Sequence, residues 1–553
     1  MVEHPVIRQP YLPFEIVMTT LSERLPSTAS WRSLRLRTKV LIGLSLAAIT
    51  IAGLWAVNSF SALQIQTLPN GSSRIVVNAN GNFQQALNVA KPGDVIVLEA
   101  GAEFTGPFTL PVKEGSNYIT IQSSRLAELP EAGKRVSPSH AALMPKILAA
   151  PGDAAIKTEL NAHHYQFIGV EIAPNDETSR VSDLIKLGAG SGAQKSLDTV
   201  AHHLILDRCY IHGFPTQEVK RGVALNSAET SIINSYISDI HGIGYDTQAI
   251  CGWNGPGPYR IINNYLEAAG ENVMFGGADP SIPNLIPSDI EIRGNHFFKP
   301  LSWKVADPSY AGKHWTVKNL FELKNARRVV VDGNTFENSW LDAQVGFAIL
   351  IKSQNQDRGC PWCVSEDVTF TNNVIRNAEH GINVLAYDPN NPSGQVKRLR
   401  VVNNLWVNVR GMWFQGTDGA DDVLIEHNTH LQQSGNVMTL HGRPTTKFVY
   451  RNNITVKTGY GVKGDGSQPG LATLNKFCPG YSFQKNVIAG QSGANYPPDN
   501  FYPASVSEIG FVSPQKGDYR LASSSRYRSA GTDKRDPGCD FAALDSAISK
   551  GGN

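Results

Sequence analysis

The 553-residue chain carries 50 basic and 48 acidic residues, a formal net charge of +2, so nothing in its balance points to a nucleic-acid partner. Its 50 Gly and 32 Pro fit many short strands and turns, and are too few and too aperiodic for collagen or a disordered chain. The length admits several domains or one long repetitive one.

Residues 1–39 end in a basic stretch, Arg32, Arg35, Arg37 and Lys39, and residues 40–57 (VLIGLSLAAITIAGLWAV) follow as an uncharged apolar run of 18 residues. At ~1.5 Å rise per residue, a helix there nearly spans the hydrocarbon core of a bilayer. The basic flank predicts an N-terminus that stays inside and a remainder that is exported. Two readings stay open: a transmembrane anchor, or a signal peptide cleaved near Ser59 or Ser61. Met18 is an alternative start. Either way the bulk of the chain is expected in the cell envelope or secreted, with residues 58–79 as a linker.

Residues 81–111 (GNFQQALNVAKPGDVIVLEAGAEFTGPFTLP) read as an amphipathic turn of helix, a Pro-Gly-Asp turn and the strands VIVL and FTL. A repeat then dominates the chain to about residue 490. Segments of the form apolar-x-apolar-x-x-Asn-x-apolar place Asn234, Asn264, Asn295, Asn334, Asn373, Asn404, Asn428, Asn453 and Asn486 at successive spacings of 24 to 39 residues. LILDRCYI, with Cys209 in the Asn position, extends the series upstream. Between them lies a second strand each time, among them LIKLG, GVALN, ENVMFGG, NLFELK, GFAILIK, GINVLAY, GMWFQG and NVMTLHG. Short strands at this period describe a parallel β-helix, in which each coil stacks on the last and the Asn side chains bond along the axis. The Asn column is therefore read as structural.

Residues 81–111 resemble the N-terminal cap of right-handed parallel β-helix proteins of the pectate-lyase-like superfamily. Residues 516–540 (KGDYRLASSSRYRSAGTDKRDPGCD) resemble their C-terminal closing segment. With the repeats, the resemblance covers about residues 80–540. It implies an all-β, right-handed solenoid of about ten or more coils, a polysaccharide partner and a monomer. The catalytic motifs of that superfamily do not follow. Asp421-Asp422 and EHG at 379–381 only approach the polygalacturonase pattern, and the sole R-x-K is Arg37–Lys39. The W-I-D-H and R-x-P-x-x-R patterns of pectate lyases do not occur. Fold alone carries no reaction.

Period-two counting in the companion strands gives the candidate site instead. With Phe321 and Leu323 inside, Glu322 and Lys324 point out, and the same count puts Met274, Gly276, Lys352, Asn383, Trp413, Gln415, Thr439 and His441 on one face. Asp279 and Gln354 fall just past strand ends. Trp413, Gln415, Gln354 and His441 are the expected sugar-binding residues, Trp413 by stacking. If the chain is a lyase, Lys324 is the expected base with Lys352 beside it, its pKa lowered by neighbouring cations. Glu322, Glu271 and Asp279 would then hold a cation, with Ca2+ the candidate. If it is a glycoside hydrolase, Glu322 with Asp279 is the carboxylate pair; an epimerase is the companion alternative. A non-catalytic carbohydrate-binding or envelope-structural protein is the third reading, in which Lys318, Glu322 and Lys324 are ion pairs on a wet face.

Three other features are read as structural or as scaffolding. His163-His164 and His202-His203 stand at strand starts as surface-turn residues. CPWC at 360–363 is a local disulfide or none, since no second C-x-x-C completes a zinc site. The Gly-rich loops 249–259 and 275–289 are long enough to build a site.

Overall fold

The computed structural model describes residues 63–490 and 492–552, so the apolar run at 40–57 lies outside the described residues. No helix among the described residues is long and apolar enough to cross a membrane. The chain winds through three long sheets of 15, 13 and 12 strands, each of which collects every third strand of the coil in sequence order. From the pairing of Ser73–Val77 with Val95–Leu98 onward, the ladders in all three are parallel. This is a parallel β-helix, and its strand order and register carry that conclusion.

One continuous core runs from Ile75 to Tyr496. Equivalent positions of successive coils stack like on like, as with Phe297 and Phe336 at 4.3 Å between centroids, and Tyr450 and Phe483 at 4.8 Å. A short helix at Phe83–Val89, capped by the Asn82 side chain on the Gln85 amide, buries Phe83, Ala86 and Leu87 in that core. A second, Leu471–Phe477, buries Thr473, Leu474 and Phe477 beside the last strand of the 12-stranded sheet. Residues 533–547 run back along the coils: His427 meets Asp533 at 3.0 Å, the Asp540 amide donates to Asn403, and Leu544 packs with Val374 and Leu405.

The sharp corner between the 15- and 13-stranded sheets explains the Asn repeat. One residue per coil takes a left-handed conformation there, including Asn234, Asn263, Asn372, Asn403 and Asn452 with φ between 52 and 57°. Asn tolerates that region better than most residues. The next residue forms the buried ladder. Asn334 Oδ1 accepts from the backbone N–H and Nδ2 of Asn295, while its own Nδ2 donates to Asn373 Oδ1 and Ile292 O. The same bonds continue through Asn404, Asn428, Asn453 and Asn486. Asn234 is a correction. It occupies the left-handed corner, and Ser235 takes the ladder position, its amide donating to Asn264 Oδ1. Two adjacent Asn-rich columns, offset by one residue, look alike in sequence.

Candidate functional site

The outward face of the 12-stranded sheet is set by its register. Val273, Phe321, Ile349, Ile382, Phe414 and Met438 form an inward column. One residue on, Met274, Glu322, Leu350, Asn383, Gln415, Thr439 and Lys463 form an outward one. Lys352 and His441 fall on the next outward column.

Trp413 is not on this face. It is fully buried, stacked on the His430 ring at 3.9 Å and 4°. Two successive residues face inward where each of these strands begins, Leu320 with Phe321, Ala348 with Ile349 and Trp413 with Phe414, and all six belong to the core. Strict alternation fails at that point, so Trp413 cannot stack on a sugar.

Glu322 and Lys324 do come together with Lys352. Glu322 has no exposed surface, while Lys352 Nζ lies 3.1 Å and Lys324 Nζ 3.8 Å from its Oε1. Neither contact has hydrogen-bond geometry, and both carboxylate oxygens are otherwise unpartnered. The lysine side chains keep 13% and 17% of their surface exposed, so their tips reach solvent over a sealed carboxylate. One strand earlier, Glu271 is equally buried, accepts from Gln248 Nε2 at 2.8 Å and lies 3.8 Å from Lys318 Nζ. Lys318 also pairs with Asp246 at 2.5 Å. Burial, helped by the like charges of Glu322 and Asp246, pushes the Glu271 carboxyl up to about 7.

The expected lowering of the Lys324 pKa is reversed. Burial opposes its charge, but Glu322, Glu271, Asp246 and Cys251 outweigh burial and hold it above the ordinary lysine value. The carboxylates around it prevail despite Lys352 on the same Glu322 oxygen, so it stays protonated and suits charge neutralisation rather than proton abstraction. On the same sheet, Lys220 has the opposite environment. Burial first, and then Arg221 and Arg180, lower its pKa against the pull of Asp183. Arg221 bonds Asp183 at 3.0 Å and lies over the Trp253 ring at 4.8 Å. Sequence reading missed Lys220, Arg221 and Asp183, although GVALN was among the repeat strands. Extending the register count two coils upstream would have reached Lys220 and Arg221, and three coils Asp183.

Gln415 and His441 join a polar chain across four coils. Asn383 Nδ2 donates to Gln415 Oε1 at 2.7 Å, Gln415 Nε2 meets His441 Nε2 at 3.3 Å, and His441 Nδ1 meets Asp465 at 2.8 Å. Gln354 and Asp279 belong to the loops that follow the strands. The Gln354 amide donates to Lys324 O, and Asp279 Oδ2 accepts from the amides of Asp357 and Gly359. The Gln354 loop is closed by a Cys360–Cys363 disulfide. Asp279 has one oxygen committed to backbone amides, and lysines already face Glu271 and Glu322. Among the described residues, these carboxylates are not in any set of three metal donors within 4.8 Å of one another.

No protein-family model and no curated protein matches the sequence. Among solved structures, the chain is similar to an alginate lyase from Paenibacillus at 14% identity and TM-score 0.32, which covers 74% of this chain and 97% of that one. It is similar to a pectate lyase at 14% identity and TM-score 0.35, covering 84% and 96%. It is also similar to a mannuronic acid-specific polysaccharide lyase from human gut microbiota at 11% identity and TM-score 0.41, covering 86% and 98%.

Proposed function

We propose that this β-helix acts outside the cytoplasm and binds an extended acidic polysaccharide along the outward face of the 12-stranded sheet. One observation carries the reading. Lys318, Lys324 and Lys352 hold 16%, 13% and 17% of their side-chain surface open while Glu271 and Glu322 beneath them hold none. At Lys324 and Lys352 a ligand arriving from solvent therefore meets ammonium groups above a sealed carboxylate, while at Lys318 the Asp246 carboxylate shares the surface. The strands bearing Asp183 to Lys352 are six in succession, about 24 Å at ~4.8 Å per strand, and the chain Asn383–Gln415–His441–Asp465 continues the surface with polar donors and acceptors. The test is retention of the full chain on polymannuronate, polygalacturonate and a neutral glucan. Acidic polymers should bind and be released by salt. The paired variant Glu322→Gln with Lys352→Gln removes one cationic tip without stranding a buried carboxylate, and should weaken binding about fivefold or more. Equal binding of the neutral glucan, or indifference to salt, overturns the proposal.

Elimination from a uronate is the second reading, and the environment of Lys220 favours it. Burial and the neighbouring arginines disfavour the charged form of Lys220, and its deprotonated amine can take the proton from C5 of a uronate whose carboxylate lies against Arg180 or Arg221. The electron pair then forms the C4–C5 double bond, the glycosidic C4–O4 bond breaks, and the departing oxygen takes its proton from water. Lys220→Met should abolish the ultraviolet band of the unsaturated product and leave binding intact. New reducing ends without that band would support a hydrolase instead, and binding without either would support a carbohydrate-binding protein.

A further inference from the structure

On the 15-stranded sheet, away from the lysine face, four histidines gather where two consecutive coils begin their strands. His163–Ile168 and His202–Asp207 pair in parallel with His202 opposite His163. Consecutive residues of a strand normally face opposite ways. Here His164 and His203 adopt φ of 59 and 53°, which turns both rings of each pair to the same side. His163 Nδ1 lies 2.8 Å from His164 Nδ1, and His202 Nδ1 lies 2.7 Å from His203 Nδ1. Between coils the rings stack, His163 on His202 at 4.8 Å and His164 on His203 at 4.3 Å.

The same left-handed position recurs in later coils with Asp289, Arg328, Asp367 and Arg398. There it is neutralised by ion pairs such as Arg328–Asp289 at 2.6 Å and Arg398–Asp367 at 2.5 Å. The histidine end of the column holds instead a single carboxylate, Glu229, which meets His203 Nε2 at 2.6 Å.

We propose that His164, His202 and His203 form a binding site for a divalent transition-metal ion of the zinc, nickel or copper class. One ligating nitrogen from each lies within 4.8 Å of the others. Nitrogen pairs around a tetrahedral ion with bonds of ~2.0–2.1 Å stand about 3.3 Å apart, so the His202–His203 pair at 2.7 Å needs to open by about half an ångström and the stacked His164 ring needs to turn its lone pair toward the ion. Imidazole is a good donor for these metals. Glu229 lies 2.6 Å from His203 Nε2, placed to favour a proton there and leave the Nδ1 lone pair for the ion, as a carboxylate does beside a metal-ligating histidine. On binding, the ion replaces the proton shared by His202 and His203, and His202 moves its own N–H to Nε2. Three protein ligands leave one position for water or an anionic ligand.

The test uses the full chain, purified without a histidine tag and stripped with chelator, in equilibrium dialysis against ZnCl2 with elemental analysis. Titration with Co2+ is followed by visible absorption. Uptake of one equivalent, with intense four-coordinate cobalt bands, is the expected result. His164→Ala and His202→Ala should each abolish the bands, and Glu229→Gln should weaken zinc binding about ten- to a hundredfold. His380→Ala, on another sheet, should change nothing. Absence of saturable uptake, weak octahedral cobalt bands only, or uptake unchanged in the histidine variants would each overturn the site. Thermal melts of the metal-free variants, repeated with His→Asn where alanine lowers the transition, separate lost ligation from lost folding.

Discussion

Replacing Glu322 by Gln tests the pairing beneath the lysine tips. Its carboxylate lies 3.1 Å from Lys352 Nζ and 3.8 Å from Lys324 Nζ. At an effective dielectric constant of about 20, these contacts amount to about 5 and about 4 kcal/mol before desolvation is charged against them. The net worth is much smaller, because the carboxylate gave up all its water on folding and neither lysine donates to it in hydrogen-bond geometry. The lysine tips can rehydrate and Gln fills the same volume, so Glu322→Gln should cost about 2–3 kcal/mol, less than the 3–5 kcal/mol for breaking a fully buried pair. Lys352→Gln alone strands the carboxylate against Lys324 and should cost about the same. The double variant removes both charges and should regain at least about 1 kcal/mol over the sum of the singles. Urea denaturation of the four proteins, read as midpoint and slope, measures the cycle. Single losses that add within about 0.5 kcal/mol would refute the pairing as an energetic unit.

Glu271 predicts a pH dependence. Its folded pKa of about 7 lies above the usual carboxylate value, so the folded state binds the extra proton. The associated stability is complete below the unfolded pKa of ~4.3 and is lost as pH rises through about 7. Urea midpoints between pH 5 and 8 should fall with pH in the native chain and flatten in Glu271→Gln; parallel curves would remove Glu271 as the cause. Asn334→Ala breaks the buried ladder in both directions and should cost about 2–4 kcal/mol, since it leaves the Asn295 amide without its acceptor; a loss under about 0.5 kcal/mol in the same assay would contradict the ladder's role. Trp413→Ala should cost about 3–5 kcal/mol as a core cavity and leave glycan affinity unchanged at a permissive temperature. A selective loss of binding without loss of stability would return Trp413 to the surface.

The sequence by itself determined the solenoid. A strand period of two, an Asn at fixed place in each coil and a recurrent companion strand leave few other ways to bury so many short apolar segments. It also determined that Glu322, Lys324 and Lys352 would meet, because parallel in-register stacking turns sequence spacing into spatial neighbours. Tertiary structure alone decided what those neighbours do to one another. Whether Lys324 has its pKa raised or lowered depends on carboxylates contributed by two other coils, and linear order cannot sum those charges. Nor could alternation place Trp413, because one extra inward residue where a strand begins reverses every side chain before it. Asn234 was misplaced for a related reason, since a one-residue offset exchanges a corner for a ladder. The histidine pairs show the same limit: only the left-handed turn at His164 and His203, fixed by stacking on the next coil, brings four rings from two strands to one side.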